Sequence, residues 1–376
     1  MIRRMLTLAL LALVVGVLPP LRADAASDGY WDYRPLSVNG SYRPLVGAFG
    51  GDKTSDILWY GPGTRPDSLW LGRVGQRGSA GFVKRSLTIG GAYLPVVGDF
   101  AGEGHDDILW YTPGNGGDYL WTNTGDGHFT STPLPMGGSF HPYRLVDYTS
   151  GKDDIFWYDV STLAYSTNKL WHFDDAGSGA VESSDPTGAS KGRPVVGDWD
   201  GNGYEDVFIH IPGVQSDEAL FADVNGLTSS RSYTVNGSYE PTVVYDVPRD
   251  GILFWADGAA AEAYWRGTSA KTFTNVKVPA VDGIGTATTW PLGAAIVSGS
   301  QVYDGMFIGT ATTGTWYDLA PKGHEKGNEQ LLVGDWDGND TSDLLWYATG
   351  TNADELWYLE PSSAGAAAAR LGRRPA

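Results

Sequence analysis

The sequence predicts an all-β fold: a seven-bladed β-propeller of four-stranded blades, with the N-terminal strand closing the last blade. Three observations predict it. A strand–loop–strand block recurs seven times. An aromatic marker follows each block at a similar interval. A lone fourth-strand segment precedes the first block, and the last block has none after it.

The blocks, in chain order, are "RPLVGAFGGDKTSDILWYGPG", "LPVVGDFAGEGHDDILWYTPG", "YRLVDYTSGKDDIFWYDV", "RPVVGDWDGNGYEDVFIHIPG", "PTVVYDVPRDGILFWADG", "GAAIVSGSQVYDGMFIGTATTG" and "QLLVGDWDGNDTSDLLWYATG". The markers are Trp70, Trp121, Trp171, Phe221, Trp265, Trp316 and Trp357, spaced by 51, 50, 50, 44, 51 and 41 residues. Unit two shows the strands. "YLPVVGDF" is an apolar first strand, the loop Asp99–Asp107 turns it, and "ILWY" returns. "TPGNGGD" is a Gly/Pro hairpin before the third strand "YLWTN", and "GDG" turns into the polar fourth strand "HFTSTPL". An apolar first strand at the centre and a polar fourth strand at the rim is the gradient a blade needs. "YWDYRPLSVNGSYRP" matches the fourth-strand segment "FVKRSLTIGGAYLP", so Asp32–Val38 is expected to complete the last unit and remove an open sheet edge.

The flanks differ from this body. Residues 1–25 read as a secretory leader, with Arg3 and Arg4, the apolar Leu6–Leu18 and the small-x-small site Ala23-Asp24-Ala25. Residues 26–360 form the single repeat domain, and the Ala/Arg-rich 361–376 reads as a disordered tail. No later apolar run approaches the ~18 residues of a membrane span, so an exported, extracellular protein is expected. The net charge of −18 disfavours nucleic acid and anionic membranes and suits cations. Without cysteine, an exported chain relies on its core, on metal, or on both.

The blocks "VVGDF", "VGDWDGNG" and "DILWY" resemble the FG-GAP/VCBS-repeat propellers, the family of integrin α-subunit heads and certain fungal lectins. The likeness covers about residues 30–360. It implies the propeller fold and calcium loops, and functions in adhesion, sugar binding or enzyme accessory roles.

The loop chemistry can also be read residue by residue. Unit four offers Asp198, Asp200, Asn202, the carbonyl of Tyr204, and Asp206; unit seven offers Asp335, Asp337, Asn339, the carbonyl of Thr341, and Asp343. Alternate residues supply hard oxygen donors, which suit Ca²⁺, and converging carboxylates repel one another without a cation. Unit two keeps Asp99, Glu103 and Asp107 but has Ala101 at the third place. Unit one is thinner, with Ala48, Asp52 and Asp56, and unit three is one residue short, with Asp147, Gly151 and Asp154. Units five and six lack the pattern. The expected role of Ca²⁺ is structural.

No catalytic constellation emerges, so an enzyme is not expected. The six histidines are scattered, and "GASKG" at Gly188–Gly192 lacks the strand-to-helix setting of a nucleophile elbow. An acidic residue stands three before the marker at Asp67, Asp118, Glu218, Glu262 and Asp354, with Asn168 and Thr313 in the other two units. It reads either as a hairpin residue or as an acceptor for sugar hydroxyls. The loops "NGSYRP", "GGAYLP", "GGSFHP" and "NGSYEP" place Tyr42, Tyr93, Phe140 and Tyr239 on the end opposite the acidic loops. These rings read either as packing between units or as plates for sugar C–H faces. The functional expectation is a calcium-stabilised, lectin-like protein binding carbohydrate or a glycoconjugate. The alternatives are a protein-binding hub or subunit of a secreted toxin or adhesion assembly, and, third, an accessory-domain-like enzyme. If a unique partner site exists, its expected place is the divergent units five and six.

Overall fold

The deepest strand in units one to four and seven is the second. "DILWY" and its relatives combine β-branched and aromatic residues without Gly or Pro, which is what a strand buried on both faces requires. In the computed structural model Asp56–Tyr60, Asp107–Tyr111, Asp154–Asp159, Asp206–His210 and Asp343–Ala348 are buried along their whole length. The structure describes residues 31–147, 150–160, 168–173, 180–184, 192–246, 248–255, 263–276, 293–298, 304–309, 314–318, 329–340 and 342–359. The leader, the tail, Thr341, Glu262 and Thr313 lie outside them.

All seven sequence blocks form antiparallel strand pairs. Units one to four each continue into a four-stranded meander, such as Arg43–Gly47, Asp56–Tyr60, Asp67–Gly72 and Phe82–Leu87 in unit one. The first strand is an edge strand, which is why Pro44, Pro95 and Pro194 fit its second position without breaking a ladder. It is only half-buried in units one, two and four. The expected apolar gradient is therefore corrected: burial peaks at the second strand, which has a paired neighbour on each side. The fourth strand is polar and largely exposed, as in Phe129–Pro133.

Unit seven has three strands of its own, Glu329–Gly334, Asp343–Ala348 and Asp354–Leu359, and its fourth is the N-terminal Trp31–Leu36. Trp31 lies opposite Leu359 and Leu36 opposite Asp354. Units five and six differ from the rest. Their first strands, Glu240–Asp246 and Gly293–Ser298, pair directly through Tyr245–Ala294 and Asp246–Gly293, giving one seven-stranded sheet.

The core lies between sheets. Five apolar clusters occupy successive interfaces, from units seven and one through units four and five. Trp59, Trp110, Trp157 and Trp346 recur at one register position and are buried. Alternate residues of each strand face opposite neighbours, so units one to four each serve two interfaces.

Candidate cation loops and inter-unit junctions

Because each unit is a meander, its loops fall at two ends. The loop between the first and second strands lies at one end. The hairpin between the second and third lies at the other, together with the link to the next unit.

At the first end, three groups of acids come together: Asp99, Glu103 and Asp107; Asp198, Asp200 and Asp206; and Asp335, Asp337 and Asp343. In each group one oxygen per residue lies within 4.8 Å of the others. Two oxygens on one Ca²⁺ at 2.3–2.6 Å can be no more than about 5 Å apart, so these donor sets fit a calcium-sized cation. Local backbone geometry sets the loop. Asp198 accepts from the N–H groups of Gly201 (2.6 Å), Asn202 (3.1 Å) and Gly203 (3.0 Å), and Asp99 accepts from Gly102, Glu103 and Gly104. Asp206 accepts from Ala222 N–H (2.8 Å) and Trp199 N–H (3.0 Å), pinning loop to sheet. Burial pushes Asp107 up to about 7 and Asp206 well above the usual carboxylate range, and it also raises Asp99, Asp200 and Asp335. Desolvation thus penalises these charges wherever no cation compensates them.

The remaining loop residues divide. Asn202 donates to Ala222 O (2.8 Å), and its side-chain oxygen accepts from Tyr204 N–H (2.8 Å). Tyr204 forms a backbone bridge to Asp147 of unit three. Asn339 N–H donates to Asp335 and Asp337. In unit one Asp52 takes Thr54 instead, and in unit three Asp154 is paired with His172 Nδ1 at 2.9 Å.

The aromatic between the first two acids joins the next unit. Trp199 is fully buried and meets Phe273 of unit five at 6.1 Å, and Trp336 meets Phe82 of unit one at 6.3 Å. Phe49 and Phe100 do the same with Phe129 and Phe173.

A second inter-unit bond was not anticipated from the sequence. Asp250 N–H donates to Asp198 O (2.9 Å), and Asp198 N–H donates to Asp250 Oδ2 (3.0 Å). The same reciprocal pair joins Ala48 with Asp106, Asp99 with Asp153, and Val146 with Glu205, and Asp335 pairs with Ser55 in the same way. The signal available was the acidic doublet before the second strand, as in Asp106-Asp107 and Glu205-Asp206. Only the second acid of each doublet had been assigned a role.

The opposite end spends its acids differently. Asp67 accepts from Gly61 N–H (2.7 Å) and Ile89 N–H (2.6 Å); Asp118 from Thr112 (2.7 Å) and Met136 (2.8 Å); Asp354 from Ala348 (2.8 Å) and Val38 (2.5 Å). All three are about 2 % exposed. They act as hairpin residues, tying the turn to the end of the fourth strand, and they are not displayed to a ligand. In unit four this place belongs to Asp217, not Glu218. Asp217 accepts from Ile211 (2.8 Å) and Val235 (2.5 Å). Leu220, not Phe221, lies opposite Val207 in the position that Trp70 takes opposite Ile57. Spacing from Phe221 is therefore one residue out.

Beside these acids, the tyrosine that ends the second strand clasps the next unit. Tyr60 OH accepts from Tyr93 N–H and donates to Gly91 O, both at 2.9 Å. Tyr111 does this for Phe140 and Gly138, and Tyr347 for Tyr42 and Gly40. In unit four His210 replaces the tyrosine: its Nε2 accepts from Tyr239 N–H (3.3 Å), so Nδ1–H donates to Asp217 (2.8 Å). Gly91 has φ +108°, and a Cβ there would sit 2.8 Å from the Tyr93 ring, so a side chain is excluded twice over. Tyr42, Tyr93 and Tyr239 stand half-buried, edge-on to Trp59, Trp110 and Phe254, while Phe140 is buried against Trp157. Tyr119, opposite Trp110 in the ladder, is 36 % exposed.

An open groove of about 430 Å³ lies between units one and two, with Leu71, Val74 and Val83 beside Arg73, Arg85 and Asp126. No helix among the described residues is long and apolar enough to cross a membrane.

No family model matches the chain, and no curated protein matches it. Among solved structures it is similar to one described as the structural basis of specific recognition of non-reducing terminal N-acetylglucosamine by an Agrocybe aegerita lectin. The identity is 16 % and the TM-score 0.50, over 82 % of this chain and 75 % of that one. The likeness is one of fold: an all-β arrangement of repeated antiparallel sheets.

Proposed function

We propose that this chain is a secreted, non-enzymatic β-propeller of seven four-stranded blades, closed by its N-terminal strand, stabilised by Ca²⁺ and binding carbohydrate. The "VVGDF", "VGDWDGNG" and "DILWY" blocks support reading it with the FG-GAP/VCBS-repeat propellers, and the leader-like residues 1–25 support export. Calcium is supported by the three acidic groups whose oxygens fit one cation. The bound ion would neutralise the converged carboxylates and add binding free energy to folding. Asp198, Asp200 and Asp206, Asp335, Asp337 and Asp343, and Asp99, Glu103 and Asp107 would hold it.

The single observation that carries the carbohydrate reading is the recurrence of a half-exposed tyrosine at one inter-unit position, Tyr42, Tyr93 and Tyr239, in a fold shared with a lectin. A tyrosine ring face and hydroxyl at a unit junction suit a sugar's C–H face and hydroxyls, and repetition would give avidity from weak sites. Tyr93 with the exposed Tyr119 is the fullest of these junctions. A glycan array in Ca²⁺ is expected to show binding that Tyr93→Ala and Tyr119→Ala weaken. A blank array with folded protein would refute the reading.

A second reading, a protein-docking hub, is favoured by one feature: units five and six merge into a seven-stranded sheet unlike the others. It predicts one stoichiometric partner co-purifying from culture supernatant.

A further inference from the structure

The acidic loops of units four and seven share a feature beyond their donors. In each, the next unit in the ring aims a basic side chain at the middle carboxylate. Arg77, in the turn before the fourth strand of unit one, reaches Asp337 through Nε (2.8 Å) and Nη2 (2.7 Å) on the same oxygen. Lys271, in the matching turn of unit five, stands 3.8 Å from Asp200. Unit two has Ala101 at this place and so offers no middle carboxylate.

Arg77 is more than a surface pair. Its Nη1 also holds Asp32 of the N-terminal strand at 3.0 Å, and its guanidinium lies 5.0 Å from the centre of the Tyr358 ring. The Gly75 N–H donates to Asp337 O (2.7 Å), so the turn is docked on the loop by its backbone as well. One guanidinium thus joins unit one, the N-terminal strand and the acidic loop of unit seven. Asp337 is 4 % exposed and Arg77 about a quarter, so water screens the contact only partly.

We infer that Arg77 is a built-in competitor of the cation at the Asp335–Asp337–Asp343 loop, so that this loop takes Ca²⁺ more weakly than its donor set alone would dictate. The inference rests on the reading that the acidic loops hold Ca²⁺. The physical reason is direct: a guanidinium held on a carboxylate oxygen of Asp337 takes up negative charge that the ion would otherwise use, and it must move aside or repel the ion at close range. Lys271, farther away and holding its carboxylate at a single point, competes less. The same guanidinium lets the loop keep its shape, and keep hold of Asp32, when no ion is bound.

The test is calorimetric titration of the whole chain with CaCl2, comparing wild type, Arg77→Gln, Arg77→Lys and Arg77→Gln/Asp337→Asn. Arg77→Gln is expected to tighten one class of sites about tenfold. Arg77→Lys, which keeps the charge but not the fork, should fall between, and adding Asp337→Asn should cancel the gain. Melting supplies a second readout: Arg77→Gln should lower the transition in chelator, and saturating Ca²⁺ should shrink that deficit. Binding in wild type with unchanged or weaker affinity in Arg77→Gln would overturn the inference while leaving the calcium reading intact. No binding in either protein would overturn both. Should Arg77→Gln fail to fold, Arg77→Lys decides alone: a tighter class supports competition, and equal affinity refutes it.

Discussion

The two ends of the sheets use the same residue, aspartate, for opposite physical ends. At the hairpin end Asp67, Asp118, Asp217 and Asp354 each stand alone, buried, with one backbone amide on each oxygen. At the loop end acids converge in threes; burial raises carboxyl pKa values at both ends, those of Asp107, Asp206 and Asp335 here and of Asp67 and Asp354 at the hairpins. A lone carboxylate with two amide donors is complete within the chain, whereas three together need a positive charge from elsewhere. The difference teaches that burial of an acid does not by itself mark a ligand site; what marks it is charge left uncompensated by the fold.

The comparison can be broken most forcefully at Asp354, whose second amide belongs to Val38 just after the N-terminal strand. Asp354→Ala leaves two buried amides unpaired, at about 1–3 kcal/mol each. The loss, read from urea unfolding midpoints, should be the same in Ca²⁺ and in chelator. A loss that Ca²⁺ repairs would mean the hairpin end is not self-sufficient.

A smaller effect is expected at Glu205, the inter-unit partner of Val146. Burial pushes its carboxyl up to about 8 from a usual 4.5. An acid whose folded pKa is raised contributes stability that is full below 4.5 and lost as pH rises through about 8. Glu205→Gln should therefore flatten the pH dependence of unfolding in chelator between about pH 5 and pH 9. An unchanged slope would show that Glu205 ionises at an ordinary pH. Smallest is Tyr60→Phe, which leaves the Tyr93 amide without its partner while Gly91 O keeps Gly63 N–H (2.6 Å), for about 1 kcal/mol. Differential scanning calorimetry should show it at any Ca²⁺ concentration.

Much of the fold was legible because the repeat is legible. The seven blocks each appear as a strand pair, and the orphan segment at the N-terminus pairs where its match to a fourth strand put it. Trp199, set between loop acids, reaches the neighbouring unit as its alternation demanded. What escaped the sequence crosses between units. The Tyr60 clasp and the Asp250–Asp198 exchange join residues about 30 and 50 positions apart, and no local pattern announces such partners. Marker spacing points to Glu218 in place of Asp217 for a local reason: unit four has leucine in register at the marker position, just before a bulge at Phe221 and Ala222. The merging of units five and six was not foreseen, since losing an acidic loop says nothing about which strands then pair.

The most direct measurement is the thermal transition of the chain in chelator and after Ca²⁺ is restored. A cation bound only by the folded state at a hundredfold excess over its Kd contributes about 2.7 kcal/mol per site. The transition should therefore fall in chelator, recover with Ca²⁺, and lose most of that response when Asp198→Ala and Asp335→Ala are combined, the Asp99, Glu103 and Asp107 loop supplying the remainder. Identical transitions with and without Ca²⁺ in the unaltered protein would contradict the account.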